Sequence, residues 1–168
     1  MDLHREIRYR ADVPAVYQML TDQDFVRRRV EASHALRHKV TIEPDGGGCR
    51  TRTHQVLPAE VPDFVKKFVG DEIQLDEVVT WQAPDADGSR QGRLQVDVVG
   101  APVTLRGTIR LVPDRDSGGT GTRQLIDAEL KASVPLIGRK IEEAAAPAVL
   151  AGFDVMERVG NAWLAERQ

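Results

Sequence analysis

The sequence predicts an α+β fold, in which a seven-stranded curved antiparallel sheet wraps around a long C-terminal helix and two short helices lie between strands 1 and 2. Strand-length segments with alternating polar and apolar residues recur along most of the chain. Turn sequences rich in Gly, Pro and Asp separate these segments, as in hairpins joined in sequence order. The final segment, from about Leu136 to Ala165, instead carries apolar residues at helical spacing.

Size and composition are those of one globular domain that spans residues 1–168. The chain is 41% hydrophobic and 29% charged, which is ordinary for such a domain, and its net charge of −3 argues against a nucleic-acid binder. The single cysteine, Cys49, forms no internal disulfide and favours a reducing compartment. Because the N-terminus lacks an apolar leader and no stretch of ~18 apolar residues occurs, we predict a cytoplasmic protein without a transmembrane segment.

The N-terminal part predicts a strand followed by two short helices. Residues 3–10 alternate, so that Leu3, Ile7 and Tyr9 share one face. Asp12 is placed to cap the first helix, and a second helix is expected at about residues 24–33.

Four hairpins follow, and each pairing keeps the apolar side chains on one face of the sheet. Such agreement is informative because a slip of one residue would turn every side chain to the other face. The third hairpin turns at Gly100-Ala101, where a glycine at the first turn position suits a type II′ turn. The predicted registers place Glu43 opposite Arg50, Val79 opposite Leu94, Val96 opposite Leu105, and Ile109 opposite Ile126.

The long C-terminal helix has an unusually small buried stripe. Ala144, Ala145, Ala148 and Gly152 form its middle, where a helix packed tightly on a sheet would present larger residues. In a bent sheet, small residues leave space between helix and sheet. Pro147 is expected to kink the helix, because proline lacks an N–H donor and clashes with the preceding turn.

This order of elements resembles the START-like superfamily, also called SRPBCC or helix-grip. The motifs VPAVYQMLTD and LPAEVPDFVKKFVG and the Ala-rich C-terminal helix resemble an uncharacterised bacterial branch of it. The resemblance implies a cavity between sheet and helix that holds a hydrophobic small molecule, such as a lipid, a sterol-like molecule, a quinone or a polyketide. It implies no particular reaction, and we predict no cofactor.

The inward faces of the strands and the stripe of the helix predict the lining of this cavity. Two titratable residues, Glu77 and His38, fall among apolar ones. A carboxylate there could act as acid or base or bind a ligand head group, although Glu77 could instead meet solvent at the rim and His38 could be a structural histidine. The predicted lining is His38, Val40, Thr53, Gln55, Ile73, Leu75, Glu77, Val79, Trp81, Val96, Leu105, Ile109, Ala128, Ala145, Ala148, Gly152 and Val155.

Two surface features carry further hypotheses. The insert at residues 58–70 predicts a short amphipathic helix with Phe64 and Phe68 on its apolar side; it either plugs the open end of the sheet or acts as a lid over the cavity. The basic cluster Arg27, Arg28 and Arg29, with Arg37 and Lys39 near it in sequence, is either a solvated face or a weak contact with an anionic membrane or partner. The four histidines show no metal-ligand spacing, so no metal site is predicted.

Three functions remain open from the sequence. The first is a carrier or sensor of a hydrophobic ligand, which we favour over an enzyme. The second is a cyclase or aromatase acting on a polyketide-like substrate, which would require Glu77, His38 and Tyr9 to converge in the cavity. The third is a co-chaperone-like interaction module, with a filled cavity and an exposed apolar patch. A monomer is the default expectation.

Overall fold

The computed structural model describes residues 1–168 as seven strands, four α-helices and one short 3₁₀ turn at Arg115–Ser117. None of the α-helices combines the length and hydrophobicity needed to span a bilayer. In chain order the elements are β1 (Asp2–Tyr9), α1 (Val13–Leu20), α2 (Gln23–Ala32), β2 (Arg37–Asp45), β3 (Gly48–Pro58), α3 (Asp63–Val69), β4 (Glu72–Trp81), β5 (Arg90–Val98), β6 (Val103–Asp114), β7 (Gly121–Ala132) and α4 (Gly138–Ala165).

The strands form one antiparallel sheet in the order β1-β7-β6-β5-β4-β3-β2, so that β2 to β7 are a meander and β1 joins its far edge. The predicted registers are confirmed: Glu43 pairs with Arg50, Val79 with Leu94, Val96 with Leu105, and Ile109 with Ile126. The α+β fold with a long C-terminal helix is therefore confirmed. The predicted type II′ turn at Gly100-Ala101 is not the one observed: Pro102 has no N–H to close it, and the Ala101 N–H instead donates to the Val98 carbonyl at 3.3 Å. Gly100, with a φ of +79°, is therefore the second central residue of the turn, where a positive φ favours glycine.

The two short helices begin at side-chain caps. Asp12 Oδ1 accepts a hydrogen bond from the Ala15 N–H at 3.0 Å, and Asp22 Oδ1 accepts from the Asp24 N–H at 2.8 Å. The second helix, α2, packs against β2. Gln23 Nε2 donates to the Val40 carbonyl at 3.4 Å, which fixes the start of α2 over the inner face of that strand.

One flank of α4 is bonded to the β1–β7 edge of the sheet. Glu142 Oε1 accepts from the Ala132 N–H at 2.9 Å, near the end of β7. Asn161 Nδ2 donates to the Arg8 carbonyl at 2.9 Å, while its Oδ1 accepts from the Arg10 N–H at 3.1 Å, just beyond the end of β1. These bonds hold the helix against one side of the sheet, and space remains toward the strands on the other side. Pro147 lies inside α4, which continues through it.

The Glu142 carboxylate makes the docking of α4 sensitive to pH. The Ala132 N–H and the N-terminal ammonium of Met1 hold the pKa of Glu142 below its usual value of 4.5. Because the folded pKa is the lower one, this stabilisation is present above pH 4.5 and is lost as the pH falls through the folded pKa. We expect Glu142→Gln to lower the free energy of unfolding at pH 7 by about 1 kcal/mol, and by much less at pH 3.

Urea unfolding at the two pH values measures this difference. The control is Glu143→Gln, which removes only the pairing with Arg139 on the exposed face of α4. Equal losses of stability at pH 7 and pH 3 would show that the charge of Glu142 does not contribute.

Candidate ligand cavity

A cavity of about 660 Å³ lies between the inner face of the sheet and α4. Hydrophobic residues make up 22 of the 34 residues that line it. The volume falls within the range of ~300–1,000 Å³ that is typical of small-molecule sites. Residues of α2 and of the segment before α3 complete the wall, and exposed residues, among them His34, Glu60 and Arg158, line its opening.

Most of the predicted lining residues lie on the cavity wall. They come from alternate positions of β3 to β6 and from the middle of α4, because inward-facing side chains recur every second residue in a strand. Ala148 and Gly152 line the cavity, and a Cβ atom at Gly152 would meet no atom within 4 Å. The expectation that this stripe is buried is wrong at Ala148, which is exposed. The predicted residues on the wall are Gln55, Ile73, Leu75, Glu77, Val79, Trp81, Val96, Leu105, Ile109, Ala148, Gly152 and Val155.

Three predicted residues, His38, Val40 and Thr53, lie outside the lining. Two of them are on the inner face of β2, which α2 covers. His38 on β2 contacts Glu31 of α2, with 3.3 Å between Nε2 and Oε1, rather than the cavity. Val40 follows on the same face and lies beneath the start of α2. Thr53 pairs with Val40 on one side and Glu77 on the other, and it is 2% exposed.

Ala128 and Ala145 lie outside the lining for a different reason. Ala128 is on β7, next to the edge to which α4 is bonded, and it packs against Gly107 of β6. Ala145 packs partly buried against the core rather than the cavity. Hydrophobic periodicity identifies the inward-facing residues of a strand or helix. It does not show where α4 contacts the sheet and where the two leave a cavity, and it therefore assigned both residues to the lining.

The insert forms a helix, α3, and its two phenylalanines do not line the cavity. Phe64 packs partly buried with the Lys140 ammonium 5.0 Å from its ring centroid, and Phe68 is 39% exposed. The residues that do line the cavity, among them Pro58 and Val61, precede α3. A movement of α3 as a lid stays a prediction.

Glu77 lies inside the cavity and is paired with a residue that the sequence analysis placed on the surface. Arg29 Nη2 donates to Glu77 Oε1 at 2.6 Å, and the side chains are 14% and 13% exposed. Both residues line the cavity. The sequence signal for Arg29 was its position three and four residues after Val26 and Phe25, on the buried face of α2.

Gln55 is a second polar residue on this wall. It is 7% exposed, and its Oε1 atom is buried without a hydrogen-bond partner. Gln55 pairs with Leu75, and Glu77 lies two residues further along β4, so Gln55 and Glu77 are diagonal neighbours on one face. Gln55 therefore lies beside the Arg29–Glu77 ion pair on the cavity wall.

The candidate catalytic groups do not converge. The Tyr9 hydroxyl donates to Gln124 Oε1 at 2.9 Å, and burial raises the pKa of Tyr9 well above its usual value of 10.0. Tyr9 itself does not line the cavity, although Gln124 does. His38 is held by Glu31, so Glu77 alone of the three predicted groups reaches the cavity. No cluster of three or more His, Cys, Asp or Glu side chains could hold a metal ion.

The other three arginines of the basic cluster are paired with carboxylates. Arg28 makes two hydrogen bonds with Glu166, at 2.7 and 2.8 Å. Arg27 lies 3.5 Å from Asp24, and Arg37 donates to Glu72 at 2.8 Å. These pairs are consistent with the interpretation of a solvated charged face.

Comparisons with known proteins agree with the fold. Residues 5–164 match the sequence profile of a family described as "Protein of unknown function (DUF2505)". A START superfamily protein from Mycobacterium smegmatis superposes with a TM-score of 0.56 at 9% identity, covering 99% of both chains. The Zhui aromatase/cyclase from Streptomyces sp. R1128 does so with a TM-score of 0.62 at 13% identity, covering 99% of this chain and 94% of that one.

Norcoclaurine synthase from Thalictrum flavum, solved in complex with dopamine and hydroxybenzaldehyde, superposes with a TM-score of 0.56 at 15% identity. The superposition covers all of this chain and 88% of that one. At these identities the three structures establish the fold alone, and the predicted START-like resemblance is confirmed at that level.

Proposed function

This chain belongs to the DUF2505 family and has the START-like fold, and we propose that it binds a hydrophobic small molecule in the cavity beneath α4. The observation that carries the proposal is the apolar cavity of about 660 Å³, bordered by the small residues of α4. Burial of apolar ligand surface in such a site drives binding without any charged contact. The complex of norcoclaurine synthase with two aromatic molecules supports the proposal, since that protein shares the fold.

Binding and carriage account for the cavity better than catalysis does. An acid–base mechanism needs groups within hydrogen-bond reach of the same substrate atoms. Here Tyr9 and His38 are engaged elsewhere, and Glu77 is paired with Arg29. An interaction module would not require a cavity of this size under the helix.

Filling the cavity tests the proposal directly. We expect Gly152→Leu and Ala148→Phe to reduce the affinity for N-phenyl-1-naphthylamine, a neutral apolar fluorophore, at least tenfold, because the new side chains would occupy its site. Fluorescence titration measures the affinity, and thermal unfolding checks that each variant is folded.

The matched control is Ala162→Leu, an enlargement on an exposed position of α4 that does not line the cavity. This variant should bind the fluorophore as the unchanged protein does. Absence of fluorophore binding to the unchanged protein, or equal binding by the filled variants, would contradict the proposal. If the fluorophore binds and the filled variants lose it, native mass spectrometry of the protein purified from its own host identifies the compound that it carries.

A further inference from the structure

We propose that the side-chain amide of Gln124 on β7 donates a hydrogen bond to a carbonyl oxygen of the ligand, so that the cavity favours a ketone, ester or quinone. The inference rests on the proposed function, because the rest of the ligand must occupy the apolar cavity. Gln124 is separate from the polar residues described above, since β7 lies four strands away from β3 in the sheet.

The free part of the Gln124 side chain is its amide nitrogen. Gln124 lines the cavity and is only 1% exposed. Its one side-chain hydrogen bond is the one that Oε1 accepts from the Tyr9 hydroxyl at 2.9 Å. Nε2 makes no hydrogen bond within the protein, and protein atoms do not seal it as they seal Gln55 Oε1, so this nitrogen is accessible from the cavity.

Tyr9 determines which atom of the amide is free. Its hydroxyl is buried and has no acceptor other than Gln124. Because a buried O–H group without an acceptor costs free energy, the amide oxygen faces Tyr9 and the N–H₂ group is directed away from it. Tyr9 is thus a positioning residue, which makes Gln124 present a donor rather than an acceptor to the cavity.

The surroundings of Gln124 leave this donor unpaired. Its partners in the neighbouring strands, Ile7 and Leu111, are apolar and completely buried. Ile126, the next inward-facing residue of β7, also lines the cavity. Buried polar groups in native proteins are nearly always paired, so an unpaired N–H₂ group on the wall of a ligand cavity indicates an acceptor on the ligand.

The chemistry of the site favours a neutral acceptor. A carbonyl oxygen accepts a hydrogen bond without bringing a donor of its own, which matches a group that only donates. A carboxylate would bring a charge among apolar side chains. The cation on the buried part of the wall, Arg29, is already paired with Glu77, and Arg158 is exposed at the opening. A hydrocarbon would leave the N–H₂ group buried without a partner.

Two ligands of equal shape test the inference. In 2-methyl-1-undecene a C=CH₂ group replaces the C=O group of 2-undecanone. Displacement of N-phenyl-1-naphthylamine measures both affinities, and infrared spectroscopy of the ketone, labelled with carbon-13 at its carbonyl, reports the environment of that group in the complex. We expect the carbonyl stretch of the bound ketone at a lower frequency than in hexane, because a hydrogen bond weakens the C=O bond.

Variants then identify the donor. Tyr9→Phe provides the background, since Gln124→Met alone would leave the Tyr9 hydroxyl unpaired. Relative to Tyr9→Phe, the double variant Tyr9→Phe, Gln124→Met should lose about fivefold in affinity for the ketone and keep its affinity for the alkene. Its bound ketone should show the hexane frequency. The control is Gln95→Met on the exposed outer face of β5, which should change neither affinity.

The possible results separate this inference from the proposed function. Three results would overturn the inference while ligand binding stands: a ketone that does not displace the bound fluorophore, a carbonyl stretch at the hexane frequency, or a lowered stretch that persists in the double variant. If the fluorophore does not bind either, both are overturned. The spectrum of the unchanged protein is itself able to overturn the inference, even if the double variant does not fold.

Discussion

Replacement of Arg29 by Met should lower the free energy of unfolding by about 3 kcal/mol, because it leaves the Glu77 carboxylate without its partner. The two side chains are 14% and 13% exposed and their closest atoms are 2.6 Å apart, so each charge has exchanged most of its water for the other. Met has a similar length to the aliphatic part of Arg, so the lost packing is small. The decrease in the free energy of unfolding therefore measures mainly the cost of leaving the Glu77 carboxylate unpaired.

The double variant Arg29→Met, Glu77→Leu provides the test. Well-packed apolar residues often replace a buried ion pair without loss of stability, so the double variant should regain most of what the single variant loses. Denaturant unfolding at pH 7 measures both. Arg28→Met is the control, since Arg28 pairs with Glu166 on the surface, and its effect should be much smaller. A double variant no more stable than the single one would show that the two charges are not coupled.

Gly160→Ala should also destabilise the protein, by about 2 kcal/mol, although alanine is the better helix former. A Cβ atom at Gly160 would lie 2.6 Å from Tyr9 Cε1 and 3.1 Å from Met19 Cε. The Tyr9 ring has little freedom to move away, because it is 2% exposed and its hydroxyl is bonded to Gln124. The substitution therefore forces α4 away from β1.

Gly152→Ala is the matched control in the same helix. A Cβ atom there meets nothing within 4 Å, so only the helix propensity changes, and stability should rise by about 0.5–1 kcal/mol. Thermal and denaturant unfolding of the pair should give shifts of opposite sign. Shifts of the same sign would mean that the contacts of the added Cβ atom do not determine the change in stability.

The sheet could be predicted because the residues that specify each hairpin lie close together in the sequence. Alternation within each strand and the turn residues between strands determine register together, and a wrong assignment would have broken the shared apolar face. Asp12 was likewise identified as a cap from neighbouring residues alone, and it bonds the Ala15 N–H as expected. The position of Glu77 followed from the same alternation.

The details of the cavity could not be predicted because they depend on contacts between distant parts of the chain. Helical spacing from Phe25 and Val26 places Arg29 on the buried face of α2, but it does not show that the carboxylate it meets there is Glu77 on β4, 48 residues later in the chain. His38 has the correct parity for the cavity, yet α2 lies over it. The docking of α4 on one flank depends on side chains such as Asn161 that bond the backbone near β1, and hydrophobic periodicity does not record such bonds.

The pairing of β1 has a consequence for how the chain folds. β7 is its one neighbour in the sheet, and Tyr9 is separated from its partner Thr122 by more than a hundred residues. During synthesis, β1 therefore emerges long before any strand with which it can pair, while the hairpins of the meander can close one after another. Closure of such a long loop carries an entropic cost before native contacts compensate for it, which slows folding. We expect the first strand to be made to be among the last to be fixed in place.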